Sequence, residues 1–131
     1  MASLISDRRD IDFVLYEQLD VPALTKHPKF KGYNRKTFDL ILTEARNFAL
    51  KELLPTWVDG DRVGVIFENG QVKVPPSYHR AFKLLREGEW SALSENPEWG
   101  GQGVPITVSV AADEWPIGSI REGPLSRSLV H

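Results

Sequence analysis

A cluster of glycines is the strongest candidate for binding chemistry in this sequence. Three glycines occupy four positions in Gly100-Gly101-Gln102-Gly103, directly after Trp99. Glycine permits torsion angles and close approaches that a side chain forbids, so the backbone N–H groups of such a turn can cradle a phosphate. The turn lacks the Lys-Ser/Thr of a P-loop and the spacing of Gly-x-Gly-x-x-Gly. We therefore interpret it as a tight turn between helices, with Trp99 packed beneath it.

Other residue types that support catalysis or metal binding are scattered along the chain. There is no cysteine, and no Gly-x-Ser-x-Gly motif holds a nucleophilic serine. The histidines form no metal-binding motif: His27, His79 and His131. Two pairs of neighbouring carboxylates fall at loop positions, where water normally surrounds them: Asp59 with Asp61, and Glu87 with Glu89. The residues thus predict no catalytic residue, no cofactor-binding residue and no metal ligand, and no complete active site.

A short segment from Lys26 to Lys36 combines cations with aromatic rings and contains no acid. Its members are Lys26, Lys29, Lys31, Arg35 and Lys36, interleaved with Phe30 and Tyr33. Such a segment can bind single-stranded nucleic acid, with phosphates on the cations and bases on the rings. It can also be a solvated connection whose aromatic rings pack into the core. We favour the connection, because a formal net charge of −2 leaves no basic surface to extend the segment.

Length and composition indicate a globular chain with room for a single domain. The sequence has 131 residues, of which 41% are hydrophobic and 26% are charged. No apolar run approaches the roughly 20 residues that span a bilayer, and the first residues contain no apolar signal-peptide core. These features predict a cytoplasmic protein with no membrane partner.

Hydrophobic periodicity predicts a mainly α fold, a small helical bundle with one short β-hairpin. A first helix spans Ser6 to Leu19, capped at Ser6, and its apolar face holds Ile11, Val14, Leu15 and Leu19. A longer helix runs from the N-cap Asn34 to Leu54 and ends at Pro55. Its apolar stripe begins at Phe38 and ends at Leu53, and it needs a partner to bury it.

The second half of the sequence predicts a hairpin and two further helices. Val63 to Phe67 and Val72 to Val74 flank Asn69-Gly70, the favoured pair for a type I′ turn. A helix opens at Pro75-Pro76-Ser77 and ends at Gly88, and another begins near Pro105. We expect this last helix to end at Trp115, because Pro116 follows and the periodicity is lost.

Taken in order, these residues resemble the amino-terminal helical domain of the acyl-CoA dehydrogenase family. The specific stretch runs from Gly88-Glu89-Trp90 to Pro97-Glu98-Trp99-Gly100-Gly101-Gln102-Gly103, and it is similar to the family's Pro-Glu-aromatic-Gly-Gly-x-Gly turn. The helix that ends in Leu54-Pro55 is similar to the family's first long helix. The segment from Ser6 to Glu17 resembles an N-terminal extension in a bacterial branch that acts on long-chain and 3-methylmercaptopropionyl thioesters.

The resemblance implies an oxidoreductase of fatty acid metabolism. It implies FAD-dependent α,β-dehydrogenation of an acyl-CoA thioester, with electrons passed to an electron-transferring flavoprotein and with a homo-oligomer for the full-length protein. In this family the catalytic base and most flavin contacts come from later domains that this sequence does not contain. We therefore expect an incomplete fragment that is inactive alone and binds no FAD. Only the turn is carried over, as an element beside the substrate channel: Trp99, Gly100, Gly101, Gln102 and Gly103.

The resemblance divides the chain into three parts. Residues 1–33 are the extension with its short helix, residues 34–115 are the helical domain, and residues 116–131 form an irregular tail. Three explanations for the tail remain open: a gene product with a frameshifted end, a deliberately shortened chain, or a genuine short relative. We favour the frameshift, because the helical pattern stops abruptly. We also expect the stripe from Phe38 to Leu53 and the helix after Pro105 to pack partly against missing domains, and hence to expose apolar surface.

Overall fold

The computed structural model describes residues 5–119, and it is mainly helical. Five α-helices are present in this range: α1 Arg8–Asp12, α2 Arg35–Phe48, α3 Thr56–Val63, α4 Pro76–Glu87 and α5 Ile106–Ser119. α1 continues as a π-helix over Phe13–Gln18, and α2 continues as another over Ala49–Leu53. Short 3₁₀ helices cover Val21–Lys26, Pro28–Phe30, Trp90–Ala92 and Pro97–Trp99. Within this range no helix combines the length and the apolar character that crossing a bilayer requires.

The first helix differs from its prediction at its start and along its apolar face. Asp7, not Ser6, is the N-cap, and its carboxylate accepts from the Arg9 N–H at 2.9 Å. The face predicted to be buried is divided, because Ile11 and Leu15 are buried whereas Val14 and Leu19 are exposed. The reason is the π-helical continuation, where the Leu19 N–H donates to the Val14 carbonyl five residues earlier. This wider winding rotates the later side chains out of the α-helical register.

The long helix α2 confirms its prediction, and a helix that the sequence did not predict follows it. The Asn34 side chain caps α2 by accepting from the Thr37 N–H at 3.0 Å. After Pro55 the chain turns directly into α3. Gly60 lies inside α3, where glycine is a poor helix former, and this obscured the helix in the sequence. Gly60 is needed because a Cβ there would overlap the Tyr78 hydroxyl on α4.

The predicted hairpin is present, but its first strand begins at Ile66 rather than at Val63, which is the last residue of α3. Strands β1 Ile66–Glu68 and β2 Gln71–Lys73 pair antiparallel, with Phe67 opposite Val72. Asn69 and Gly70 have φ values of 52° and 74°, as a type I′ turn requires. Helix α4 then follows, and it ends at Gly88 as predicted.

The last helix corrects the predicted end of the ordered bundle. α5 does not stop at Trp115 but continues through Pro116 to Ser119, so at least the first four residues of the predicted irregular tail are helical. Proline removes one helical N–H, and packing compensates for it because Trp115, Pro116 and Ser119 are all buried. The Trp115 indole N–H also donates to the Ser6 carbonyl at 3.2 Å. The rest of the tail, with His131, lies outside the described residues, and the frameshift remains a prediction.

The core forms where α2 packs against α5. On each helix, the side chains that face the other helix are completely or almost completely buried. Those of α2 and its continuation are Phe38, Leu42, Ala45, Ala49 and Leu53, and those of α5 are Val108, Ala112 and Trp115. The apolar stripe of α2 is thus covered by this chain's own helix, and the expectation that it awaits missing domains was wrong. The expectation of exposed apolar surface is confirmed on the opposite face of α5, at Ile106, Val110 and Ile117.

A cluster of polar side chains fastens the N-terminal segment to α2. The Arg8 guanidinium contacts Asp12 at 2.7 Å, Asp39 at 3.2 Å and the Thr43 hydroxyl at 3.0 Å. The Tyr16 hydroxyl donates to the same Asp39 carboxylate at 2.7 Å. Burial, and then the hydrogen bond to Asp39, raise the pKa of Tyr16 far above the ordinary value of 10.0.

This cluster predicts a loss of stability in alkali. An unfolded tyrosine ionises near pH 10 while folded Tyr16 stays protonated, so its contribution to stability is complete below pH 10 and falls as the pH rises beyond it. Above pH 10, the free energy of unfolding should therefore fall less steeply with pH for Tyr16→Phe than for the parent chain. Urea denaturation of both chains at several pH values measures this difference. Tyr33→Phe is the comparison variant, because burial alone raises the pKa of Tyr33. Tyr33 should therefore account for a smaller part of the fall in unfolding free energy above pH 10. Identical pH profiles for Tyr16→Phe and the parent chain would contradict the assignment.

Candidate functional site

The glycine turn is held by its own backbone hydrogen bonds. Each of its four amide N–H groups donates to a carbonyl within the same loop, at 2.9–3.1 Å: Gly100 to Pro97, Gly101 to Asn96, Gln102 to Ala92 and Gly103 to Glu95. A phosphate cradle requires N–H groups that point away from the protein and are free to donate. None of these four is free, and the turn is therefore a structural element rather than a phosphate site.

Two physical requirements explain the glycines. Gly100 and Gly103 have φ values of 87° and 66°, in the left-handed region that glycine adopts without strain. Gly101 is required by space, because a Cβ there would lie 2.2 Å from the Glu95 carbonyl oxygen. These features confirm the predicted tight turn. Its last bond, from the Val104 N–H to the Leu93 carbonyl at 2.9 Å, fixes the point from which α5 starts.

Trp99 was predicted to pack beneath the turn, and the structure contradicts this. Its side chain is 85% exposed. Since Gly101 lies directly against the Glu95 main chain, the space beneath the turn is filled by backbone and cannot hold an indole. The aromatic residue that supports the turn is Tyr33, whose hydroxyl donates to the Gln102 carbonyl. No local sequence pattern indicates this contact, because it joins residues far apart in the chain.

The two aromatic rings of the basic segment from Lys26 to Lys36 are half-buried, and each contacts side chains of this protein. Tyr33 stacks on Phe38 with ring centres 6.0 Å apart, and its hydroxyl is engaged by the turn. The Lys29 ammonium lies 5.5 Å from the centre of the Phe30 ring, and the Arg35 guanidinium lies 4.2 Å from that of Tyr16. Stacked bases would need these rings to be free. The segment is the connection that the composition favoured, and nothing in its geometry supports nucleic-acid binding.

The remaining candidate residues do not converge on a site. Between residues 5 and 119, no group of three His, Asp or Glu side chains is placed to hold a metal ion. His79 is exposed, and His27 uses its Nδ1 to accept from the Lys29 N–H at 3.2 Å. The two carboxylate pairs at Asp59/Asp61 and Glu87/Glu89 are exposed on the surface. Across the described part of the chain, therefore, no acid or base is enclosed with a partner for catalysis.

A groove that the sequence analysis did not predict lies between the π-helical continuation of α1 and the outer face of α5. It has a volume of about 380 Å³, and its walls include Val14, Leu19 and Val110. Asp113 lies half-buried farther along the same face of α5, and this burial raises the pKa of its carboxyl group. One sequence signal did point here. α5 is apolar on nearly all sides, a pattern typical of a helix buried on all sides.

Neither the glycine turn nor the groove beside α5 fits a flavin dinucleotide, the cofactor that the resemblance implied. A pyrophosphate needs N–H donors or cations around it, and the amides of the glycine turn are already bonded to their own loop. The ionisable side chains that border the groove are carboxylates, Asp10 and Glu114, which repel an anion.

The turn predicts a specific sensitivity to a single methyl group. Gly101→Ala should lower the free energy of unfolding by about 2 kcal/mol, because the new Cβ displaces the Glu95 carbonyl and its hydrogen bond to Gly103. Gly32→Ala is the matched control, since nothing lies within 4 Å of a Cβ at that position. Urea denaturation of the two variants beside the parent chain makes the comparison. Equal stabilities for both variants would show that the Glu95 contact does not restrict position 101.

No model of a known protein family matches the sequence. The chain is 29% identical over 106 residues to the 3-methylmercaptopropionyl-CoA dehydrogenase of Ruegeria pomeroyi. The matched region covers 81% of this chain and 18% of that protein. It is 26% identical over 121 residues to the broad-specificity linear acyl-CoA dehydrogenase FadE5 of Mycobacterium tuberculosis. The matched region covers 91% of this chain and 20% of that protein. The chain is therefore similar over most of its length to two acyl-CoA dehydrogenases, and it spans about a fifth of the length of each.

Proposed function

We propose that this chain is the N-terminal helical portion of an FAD-dependent acyl-CoA dehydrogenase. The observation that carries the proposal is its similarity, over 81% and 91% of its length, to two dehydrogenases of acyl-CoA thioesters. The helical architecture with one hairpin agrees with the fold that the resemblance implied. Acyl-CoA as substrate, FAD as cofactor, an electron-transferring flavoprotein as partner and a homo-oligomeric state belong to the full-length protein in this proposal.

We place the chain in the branch that carries an N-terminal extension and acts on long-chain or 3-methylmercaptopropionyl thioesters. The name of the Ruegeria pomeroyi relative supports this branch, and the broad-specificity relative is compatible with it. In this division the extension occupies residues 1–33 and the helical domain starts at 34. The Arg8 cluster joins the extension to Asp39 on α2, so the two parts are folded against each other. The helical domain extends at least to Ser119, the end of α5.

The role of the glycine turn in this proposal is to position rather than to react. Bonds from the Val104 N–H and from the Tyr33 hydroxyl fix the turn at two points, and it leads directly into α5. The turn therefore fixes the main chain from which the exposed Trp99 side chain extends. We propose that this surface lies beside the acyl-CoA channel of the full-length protein. The chain alone would be inactive, because its described residues enclose neither a base nor a place for the flavin.

Flavin content and turnover test the inactive-fragment proposal directly. The purified 131-residue chain should show no flavin absorbance after incubation with FAD, and it should not oxidise 3-methylmercaptopropionyl-CoA or a linear acyl-CoA. The Ruegeria pomeroyi relative, assayed under the same conditions, is the positive control. Stoichiometric FAD together with turnover by the isolated chain would overturn the proposal.

The gene itself tests the proposed truncation. Because α5 continues to Ser119, the DNA downstream of the Ser119 codon should contain, in a shifted reading frame, a continuous sequence that resembles the rest of an acyl-CoA dehydrogenase. Sequencing that region of the source DNA is the measurement. Downstream DNA without such a sequence in any frame would favour a genuine short relative.

A further inference from the structure

The outward side of α4 carries cationic side chains around an exposed aromatic ring. His79, Phe82, Lys83 and Arg86 are all exposed. They lie at positions i, i+3, i+4 and i+7, so they follow one side of the helix over about 10 Å. A cavity of about 390 Å³ runs along them and is also bordered by Glu87. We call the first four residues the α4 stripe.

Packing on the opposite side of α4 holds the α4 stripe in place. Tyr78, Ala81 and Leu85 are buried there. Tyr78 also lies against α3, where a Cβ at Gly60 would overlap its hydroxyl group. The backbone under the α4 stripe is therefore already ordered, and a ligand that binds to it does not have to supply the free energy of ordering a loop.

The cations of α4 outnumber its acids, and two of the side chains in the α4 stripe have no charged partner. The Lys83 ammonium lies 3.7 Å from the Glu87 carboxylate. Arg80, which lies beside the stripe, pairs with a carboxylate on the continuation of α2. Among the described residues, neither His79 nor Arg86 forms an ion pair. The α4 stripe is therefore complementary to an anionic surface with an apolar centre, although the whole chain has a formal net charge of −2.

We propose that the α4 stripe is the docking site for an amphipathic helix of another protein, one that carries Asp or Glu on both sides of an apolar side chain. The spacing favours a helix as the occupant. Acids at positions i, i+3 or i+4, and i+7 of a partner helix repeat over the same 10 Å or so as His79, Lys83 and Arg86, so each cation meets a carboxylate when the two helices lie side by side. The apolar side chain of the partner covers the Phe82 ring.

A synthetic acidic helix tests the proposal on the 131-residue chain. The probe has about 18 residues, roughly five turns, with leucine on one side and glutamate beside it. Fluorescence anisotropy of the labelled probe should show that Lys83→Glu with Arg86→Glu weakens binding at least about tenfold. A second probe with glutamine in place of glutamate should bind both chains equally, because it carries no charge to respond to the change.

The matched control is the double variant Lys26→Glu with Lys31→Glu. It changes the net charge by the same amount at two exposed lysines of the basic segment, and it should alter binding of the Leu/Glu helix by less than about twofold. Phe82→Ala should weaken binding roughly fivefold, because the apolar centre of the stripe is lost. Circular dichroism of each variant verifies that it is folded.

Several outcomes would overturn the proposal. These are no binding of the Leu/Glu helix, undiminished binding by the folded stripe variant, or equal losses in the two double variants. A single-stranded oligonucleotide of about 12 residues that binds more tightly than the helix, and loses binding in the stripe variant, would make nucleic acid the occupant. Self-association that the stripe variant abolishes in sedimentation would make it a second copy. Because these measurements use no flavin and no acyl-CoA, they can fail while the proposed function stands, and the reverse.

Discussion

The contact between α2 and α5 is the interaction on which the rest of this structure depends. Ala45 and Ala49 on one side and Ala112 on the other are buried, so that the two helices approach closely while Phe38 and Trp115 fill the space around them. The N-terminal segment adds Ile11 and Leu15 to the same core. Without α5, the stripe of α2 would face water and the N-terminal segment would lose the hydrogen bond from the Trp115 indole to the Ser6 carbonyl.

The glycine turn matters because it delivers α5 to this contact. Its internal hydrogen bonds leave the loop few alternative conformations, and the Val104 N–H to Leu93 carbonyl bond fixes the residue before Pro105. The hydrogen bonds that make the turn rigid also occupy its amide N–H groups, which therefore cannot bind a phosphate. One short motif thus explains both why the sequence invites a binding interpretation and why the structure assigns it a positioning role. In the proposed function, the catalytic base and most flavin contacts belong to parts of the full-length protein outside these 131 residues.

Local signals in the sequence predicted most elements, and contacts between distant residues account for the errors. Asn34 and Asn69-Gly70 act through their immediate neighbours, and the helix start and the hairpin turn were correct. The helix through Pro116 was missed because its stability comes from the burial of Trp115 and from the bond to Ser6, which periodicity cannot reveal. The exposed position of Trp99 follows from a main-chain contact between Gly101 and Glu95. For the same reason the groove between the N-terminal segment and α5 was not predicted as a site, although the apolar composition of α5 was visible.

The account requires that α5 has one face in the core and, on the other side, apolar residues that the described part of the chain leaves exposed. Two valines two residues apart test it, because Val108 is completely buried and Val110 is exposed in the groove. Urea denaturation should show that Val108→Ala lowers the free energy of unfolding by roughly 1–3 kcal/mol, as expected for deleting buried methyl groups. Val110→Ala should change it by less than about 0.5 kcal/mol. Equal losses for the two variants, or a larger loss at Val110, would contradict the account.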